Sequence, residues 1–321
     1  MGFFEPSFMN NVDKQYLDLL RDIKENGVEK DTRSGKVKSV FGRTLRFDLK
    51  KGFPLLTTKK VFYRGVIEEL LWFLSGSTNI KPLIEKNVHI WDADAYRYYK
   101  DLSKSYKEVL DFDSFIEAVK EEKTFAFKTD KSGFFKYYKA GDLGPVYGYQ
   151  WRNFGGSGVD QIKNIIDTLK NNPNDRRLLC VAFNPADLKD MALPPCHILF
   201  QFYVRKLDDG RLGLSCKWTQ RSVDSFLGLP FNIASYAALT YMIAEVVGMV
   251  PDELIGDLGD THIYMNHMDA VNEQLSRNGY DELPTLKFGR EIKDINDFKY
   301  EDFIIENYKS DGKISAPLSV G

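Results

Sequence analysis

Leu193-Pro194-Pro195-Cys196-His197-Ile198-Leu199-Phe200-Gln201-Phe202-Tyr203-Val204 is the stretch from which the architecture can be read. From Ile198 to Val204 nearly every position is apolar, aromatic or β-branched, the composition of a buried strand. Pro194 and Pro195 carry no amide hydrogen and cannot extend a sheet ladder upstream, which sets Cys196 at the strand's mouth. Working outward, residues 212–218 read as a second strand leading into Thr219-Gln220-Arg221-Ser222-Val223-Asp224. The chain then turns through Gly228-Leu229-Pro230 and enters a long apolar helix, running to 247, that begins near Phe231-Asn232.

A lone cysteine beside apolar residues is most often an inert buried thiol. Here an arginine, a serine, an acid and an amide stand at neighbouring strand ends and helix starts. A cationic neighbour raises the thiolate fraction, and the thiolate is the nucleophile. Arg221-Ser222 near a turn suits an anion. Asn232 offers both a donor and an acceptor, as the edge of a pyrimidine ring requires.

With 321 residues and 43% hydrophobic composition, the chain can bury a large core in one or two domains. No apolar run reaches the length that spans a bilayer. The start, Met1-Gly2-Phe3-Phe4-Glu5-Pro6, lacks the layout of a signal peptide, and Ser7 falls one place late for a myristoylation pattern. Cys180, Cys196 and Cys216 show no CxxC spacing, which argues against a disulfide framework or a zinc site and for a reducing, cytoplasmic setting. A net charge of −2 gives no global case for nucleic acid, so any anion site is local.

Upstream, residues 12–26 show helical spacing, with Tyr16, Leu17, Leu19, Leu20 and Ile23 on one face. A loop is expected at 31–35, a strand at 37–48, and a helix at 61–75 that sets Glu69 among Leu70, Leu71, Trp72 and Phe73. Residues 95–140, rich in Lys, Glu, Asp and aromatics, read as an inserted subdomain elaborating the surface. Helical periodicity returns at 160–171, and Arg176-Arg177 precede a buried strand. Residues 259–264 look like a loop entering the next helix, and strands are expected near 283–288 and 303–308. Taken singly, most polar candidates have ordinary readings: a solvated turn for Arg33, a rim carboxylate for Glu69, a solvated pair for Arg176 and Arg177. Trp91, Tyr147 and Tyr264 would pass as core rings.

Taken together they do not. Leu193-Pro194-Pro195-Cys196-His197, Gln220-Arg221-Ser222 and Gly228-Leu229-Pro230-Phe231-Asn232-Ile233-Ala234-Ser235-Tyr236 resemble the signature blocks of thymidylate synthase. Glu69-Leu70-Leu71-Trp72-Phe73-Leu74 is similar to the block holding that family's proton-handling glutamate, and the likeness runs from about Tyr16 onward outside the insertion. The resemblance implies one α/β (α+β) catalytic domain over 1–321, interrupted at about 95–140. Its large mixed or mostly antiparallel sheet would carry helices on one face and pair with a twin on the other, as a homodimer.

It implies reductive methylation of dUMP to dTMP with 5,10-methylenetetrahydrofolate, without a metal. By the same resemblance, Cys196 adds to the pyrimidine, while Glu69 and Tyr147 move protons. Arg33, Arg221 and Ser222 hold the nucleotide phosphate, joined across the dimer by Arg176 and Arg177. Gln220 binds the nucleotide, Asn232 faces the base, and His262 and Tyr264 meet the sugar. Asp224, Ile90, Trp91, Gly228, Phe231 and Ala316 would meet the folate.

Four places depart from the family pattern: the Arg33 loop, one residue shorter than in many relatives, then Asp94, Lys217-Trp218-Thr219, and the extra terminal Gly321. Asp94 bears on folate affinity, whereas the last two keep open a phage-type deoxyuridylate hydroxymethylase, in which water replaces hydride. A non-catalytic homologue binding RNA or protein is the more distant alternative, and RNA binding beside catalysis also stays open.

Overall fold

The Asn10 side chain accepts the Asp13 amide and so caps α1 (Asn11–Asn26), whose Tyr16, Leu17, Leu20 and Ile23 are buried. Gly27 ends the helix, and β1 (Val28–Thr32) and β2 (Gly35–Asp48) form an antiparallel hairpin. The expected loop at 31–35 shrinks to the two-residue turn Arg33-Ser34, because Gly35 takes φ 120° and Thr32 pairs with it. In chain order follow α2 (Tyr63–Leu74), α3 (Lys81–Glu85), α4 (Asp92–Leu102), α5 (Phe112–Lys120), β3 (Thr124–Lys128), β4 (Phe135–Lys139), α6 (Tyr147–Arg152) and α7 (Gln161–Asn171). Then come β5 (Leu179–Val181), β6 (His197–Lys206), β7 (Leu212–Asp224), α8 (Gly228–Val247), β8 (Val250–Tyr264), α9 (Met268–Leu275), β9 (Thr285–Phe288) and β10 (Phe303–Glu306). This computed structural model describes residues 9–104, 109–128 and 135–318; the readings made at 1–7 and at Gly321 fall outside them. The described residues divide into two units, one of 9–67, 162–180 and 196–318, the other of 68–161 and 181–195.

The first unit is organised by a six-stranded sheet in the order β1-β2-β8-β7-β6-β5. β7 and β8 run parallel, while β1–β2, β2–β8 and β6–β7 are antiparallel, so the sheet is mixed. α8 supplies the crossover that a parallel pair needs. It starts at Gly228, three residues earlier than expected, and Pro230 fits because first-turn amides need no partner within the helix. The helix is buried nearly all round, and Tyr236 on it stacks on Trp218 of β7 with ring centroids 5.5 Å apart. Trp218 lies opposite Gly256 on β8, where an added Cβ would stand 2.4 Å from the indole.

Along β6, Phe200, Phe202 and Val204 are buried, whereas Tyr203 and Arg205 between and beyond them are exposed. The exposed face of the sheet also carries Arg46 and Lys217 and holds a depression of about 460 Å³. The stretch 259–264 corrects the loop expected from its turn-like composition. It is the end of β8, paired on both sides, with β2 and with β7.

In the second unit, α6 lies close against α2: a Cβ on Gly148 would stand 2.3 Å from the Phe73 carbonyl oxygen. The 95–140 segment is more than surface decoration, since α4, α5 and the β3–β4 hairpin share an aromatic core. Tyr99 packs on Phe115 at 5.0 Å and on Phe125 at 5.2 Å, and Phe127 and Tyr138 are buried beside them. Among the described residues no helix is long and apolar enough to cross a membrane.

Candidate active site

Strand register assembles the first group of site residues. His197 on β6 pairs with Gln220 on β7, and the carbonyl of Cys196, one residue upstream, accepts the Arg221 amide at 2.8 Å. Ser222 lies beside Asp260 and Asp224 beside His262 on the parallel neighbour β8. His262 in turn pairs with Ser39, and Tyr264 with Val37, on β2. Residues 196, 221, 222, 224, 262 and 264 therefore gather at one end of three adjacent strands, with the Arg33-Ser34 turn reaching the same place from β2.

Electrostatics report the same neighbourhood. Burial raises the Tyr264 phenol above its ordinary value, and the Asp224 charge raises it further. A hydrogen bond with Ser34 pulls it back, Cys196 pushes up, and the Arg33 guanidinium lowers it. Asp260 anchors the row by accepting Ser39 Oγ at 2.6 Å and Lys30 Nζ at 3.2 Å, with His262 Nδ1 at 3.4 Å. Its carboxyl is held below the usual carboxylate range by those partners, against the opposing effect of burial.

His197, despite following Cys196 directly, is no base for it. Its Nδ1 lies 2.7 Å from the Tyr236 hydroxyl, and burial pushes its pKa down to about 3, so the ring stays neutral. Cationic character at this end of the sheet comes from arginines instead.

Asn232, on the first turn of α8, is oriented by a chain of amides. Trp218 Nε1 donates to Gln220 Oε1 at 3.2 Å, and Gln220 Nε2 donates to Asn232 Oδ1 at 3.1 Å and to the Ser222 carbonyl at 3.0 Å. Gln220 is 3% exposed, so its geometry is fixed by the core and passed to Asn232. This gives Trp218, one of the departures from the family pattern, a physical role: its indole holds the first link.

The second group belongs to the other unit. Glu69 sits on α2, three and four residues before Trp72 and Phe73, and Trp91 Nε1 donates to its Oε1 at 2.7 Å. Burial raises the Glu69 pKa to about 7, with the indole hydrogen bond holding it down from a higher value. Tyr147, 2% exposed at the start of α6, packs on Phe73 at 5.0 Å and on Trp91 at 6.0 Å. Trp91, expected to face a ligand, bonds Glu69 instead of standing free in the structure, a tie that the sequence did not disclose. Asp94, on the first turn of α4, is paired with Arg97 at 3.1 Å.

The remaining candidates lie apart or at rims. Arg176 and Arg177 are exposed beside β5, at the opposite edge of the sheet from β1, and Arg177 forks onto Asp175. Ile90 and Ala316 are half-buried, as are Gly228 and Phe231 at the start of α8. No group of three or more His, Cys, Asp or Glu side chains suited to a metal occurs among the described residues. Reading the sequence missed Ser34 and Asp260. The adjacency of Ser34 to Arg33 was the available signal for one; for Asp260 there was none before β8 was known to be a strand.

Comparison with known proteins comes down on one side. A thymidylate synthase family model matches residues 14–320. The chain is 47% identical to the thymidylate synthase of Herpesvirus ateles over 97% of its own length and 99% of the relative's. It is 46% identical to that of Malacoplasma penetrans (96% of this chain, 100% of the relative) and 46% identical to that of Homo sapiens (95% and 90%).

Proposed function

The chain belongs to the thymidylate synthase family and converts dUMP to dTMP; from that premise we propose the residues that carry the reaction. The matched relatives are named as synthases, which disfavours the hydroxymethyl-forming alternative. The observation that carries the residue assignment is the row set by register at the ends of β6, β7 and β8, with Cys196 at its head.

Arg33, Arg221 and Ser222 hold the nucleotide phosphate. Guanidinium forks match phosphate oxygens, and a serine hydroxyl adds a donor. Asn232, its amide set by Gln220, reads the O4 and N3–H edge of uracil, while His262 and Tyr264 take the sugar hydroxyl. Cys196 Sγ forms a bond to C6, and the C5–C6 π pair moves onto C5 and O4, leaving C5 as the nucleophile.

Methylenetetrahydrofolate supplies the one-carbon unit and the hydride. Asp224 holds its pterin through charge-assisted hydrogen bonds, with Ile90, Trp91, Gly228, Phe231 and Ala316 around it. Glu69, with a pKa of about 7, can hold or release a proton at neutral pH, the property a shuttle at O4 and C5 requires. Tyr147 assists it. Exclusion of water directs the reaction to hydride transfer instead of a hydroxymethyl product.

We read the whole chain as one catalytic domain with an insertion at about 95–140, working in the cytoplasm as a homodimer. The exposed sheet face carries Tyr203 and sets Arg46 beside Glu253, Arg205 beside Asp252 and Lys217 beside Asp257, a mixture of charges that suits a twin of the same face. The exposure of Arg176 and Arg177 in the single chain supports a role on the partner's nucleotide.

The test is mass spectrometry of the product from dUMP and methylenetetrahydrofolate, with dihydrofolate followed by absorbance. A second arm traps the adduct with 5-fluoro-dUMP and maps the modified residue. Methylated product, stoichiometric dihydrofolate and modification at Cys196 support the assignment; a hydroxymethyl product, or an adduct on another residue, overturns it.

A further inference from the structure

Tyr16 lies 208 residues from Asp224 in sequence, yet the two are electrostatic neighbours, and α1 reaches the Asp224 turn by two routes. Asp224 Oδ1 accepts the amides of Phe226 at 3.0 Å and Leu227 at 3.1 Å, so the carboxylate is aimed by the turn that follows it. That turn is tied from three sides. The Tyr16 hydroxyl donates to the Ser225 carbonyl at 2.8 Å, the Ser225 amide donates to the His262 carbonyl at 2.9 Å, and Lys59 Nζ donates to the Phe226 carbonyl at 2.5 Å.

Lys59 is itself set by α1. Asp13, fully buried one turn before Tyr16 on the same face, accepts both the amide and the hydroxyl of Thr57 and of Thr58, at 2.6–3.2 Å, and the Asn10 amide at 2.7 Å. The segment Thr57-Thr58-Lys59 is thereby locked, and Lys59 Nζ sits 3.6 Å over the Phe226 ring. Two residues three apart on one helix face thus hold the two walls of the same turn.

We infer that α1 is a positioning element for the folate-binding acid: Tyr16 directly, and Asp13 through Lys59, fix the Ser225–Leu227 turn in the orientation that points Asp224 at its ligand. Tyr16 is suited to this because burial, with Asp224 and Asp13 adding to it, raises its phenol well above the ordinary value. The hydroxyl therefore remains a donor at every working pH. The inference rests on the assignment of Asp224 to the folate.

The test uses the full-length enzyme saturated with dUMP and measures tetrahydrofolate binding by calorimetry for wild type, Tyr16→Phe, Asp224→Asn and the double variant. The dUMP Kd and the Tm of each are measured alongside. Tyr16→Phe keeps the ring packing and removes one hydrogen bond, so the folate Kd is expected to rise about three- to tenfold while the dUMP Kd stays within about twofold. In the Asp224→Asn background the same change is expected to add less than about twofold, because its route of action is already gone.

An additive double variant, or an equal loss of folate and dUMP binding with a lowered Tm, overturns the inference and leaves Tyr16 a structural residue. An unchanged folate Kd in Tyr16→Phe beside a raised one in Asp224→Asn overturns the positioning role alone. An unchanged folate Kd in Asp224→Asn removes the assignment of Asp224 itself.

Discussion

Charged and amide groups crowd the ends of β6, β7 and β8, whereas Glu69 stands among indole and phenyl rings. The first region works by orientation: arginines, a serine and two linked amides present fixed hydrogen-bonding groups, and strand register decides where each one points. The second works by withholding water, so that one carboxyl keeps its proton near neutral pH. Substitutions in the first region are therefore expected to change what binds and how tightly. Those in the second should change at which pH the enzyme runs.

The sharpest way to break that contrast is at Cys196. Cys196→Ala is expected to lower kcat by roughly 10⁴-fold or more, the scale on which loss of a nucleophile acts, and to abolish the 5-fluoro-dUMP adduct seen by mass spectrometry. Next in size, Glu69→Gln is expected to lower kcat by roughly 10²–10³-fold and to erase the limb of the pH–rate profile near pH 7.

The same change carries a stability signature of definite sign. The folded-state pKa lies above the unfolded one, so the wild type carries no penalty below about pH 4.5 and its full penalty above about pH 7. Glu69→Gln should therefore raise Tm at pH 8 and lose that advantage at pH 4. If the gain were the same at both pH values, burial would not be the source of the shift.

Smaller effects sharpen the comparison. Arg221→Lys keeps the charge and loses the fork, so the dUMP KM is expected to rise about tenfold with the pH profile unmoved. Trp91→Phe removes the hydrogen bond that holds the Glu69 pKa down, and the profile's limb should move upward by about one unit. Gly256→Ala drives a methyl into the Trp218 ring and is expected to cost about 1–3 kcal/mol in denaturant melts, with the pH profile intact.

Much of this was legible beforehand where local composition and final structure agree. The apolar run after Cys196 and the apolar face of α1 each signalled their own element, and so did the body of α8, though Gly228-Leu229-Pro230, read as a turn, is the helix's first turn. Gly259-Asp260-Thr261 did not, because its glycine and aspartate look like a turn, and only pairing on both edges makes it a strand. Helix and strand propensities lose to such tertiary pairing. The tie between Trp91 and Glu69, across 22 positions, likewise has no local trace, nor does the aromatic core inside 95–140. Its Tyr and Phe residues, scattered among lysines and acids, read as surface until two helices and a hairpin bring them together.

The order of the strands has one more consequence, and it concerns synthesis. β2 is complete by Asp48, but its sheet neighbour β8 begins only at Val250. At about 5–20 residues per second, a ribosome needs roughly 10–40 s to make the intervening chain. For that interval β1 covers only residues 35–39 of one edge of β2, and the edge that β8 will take, with Leu45 and Phe47 destined for the core, stands unclaimed. An edge of that kind invites pairing with other nascent chains, so the yield of active enzyme should depend on what shields residues 35–48 while the rest is translated.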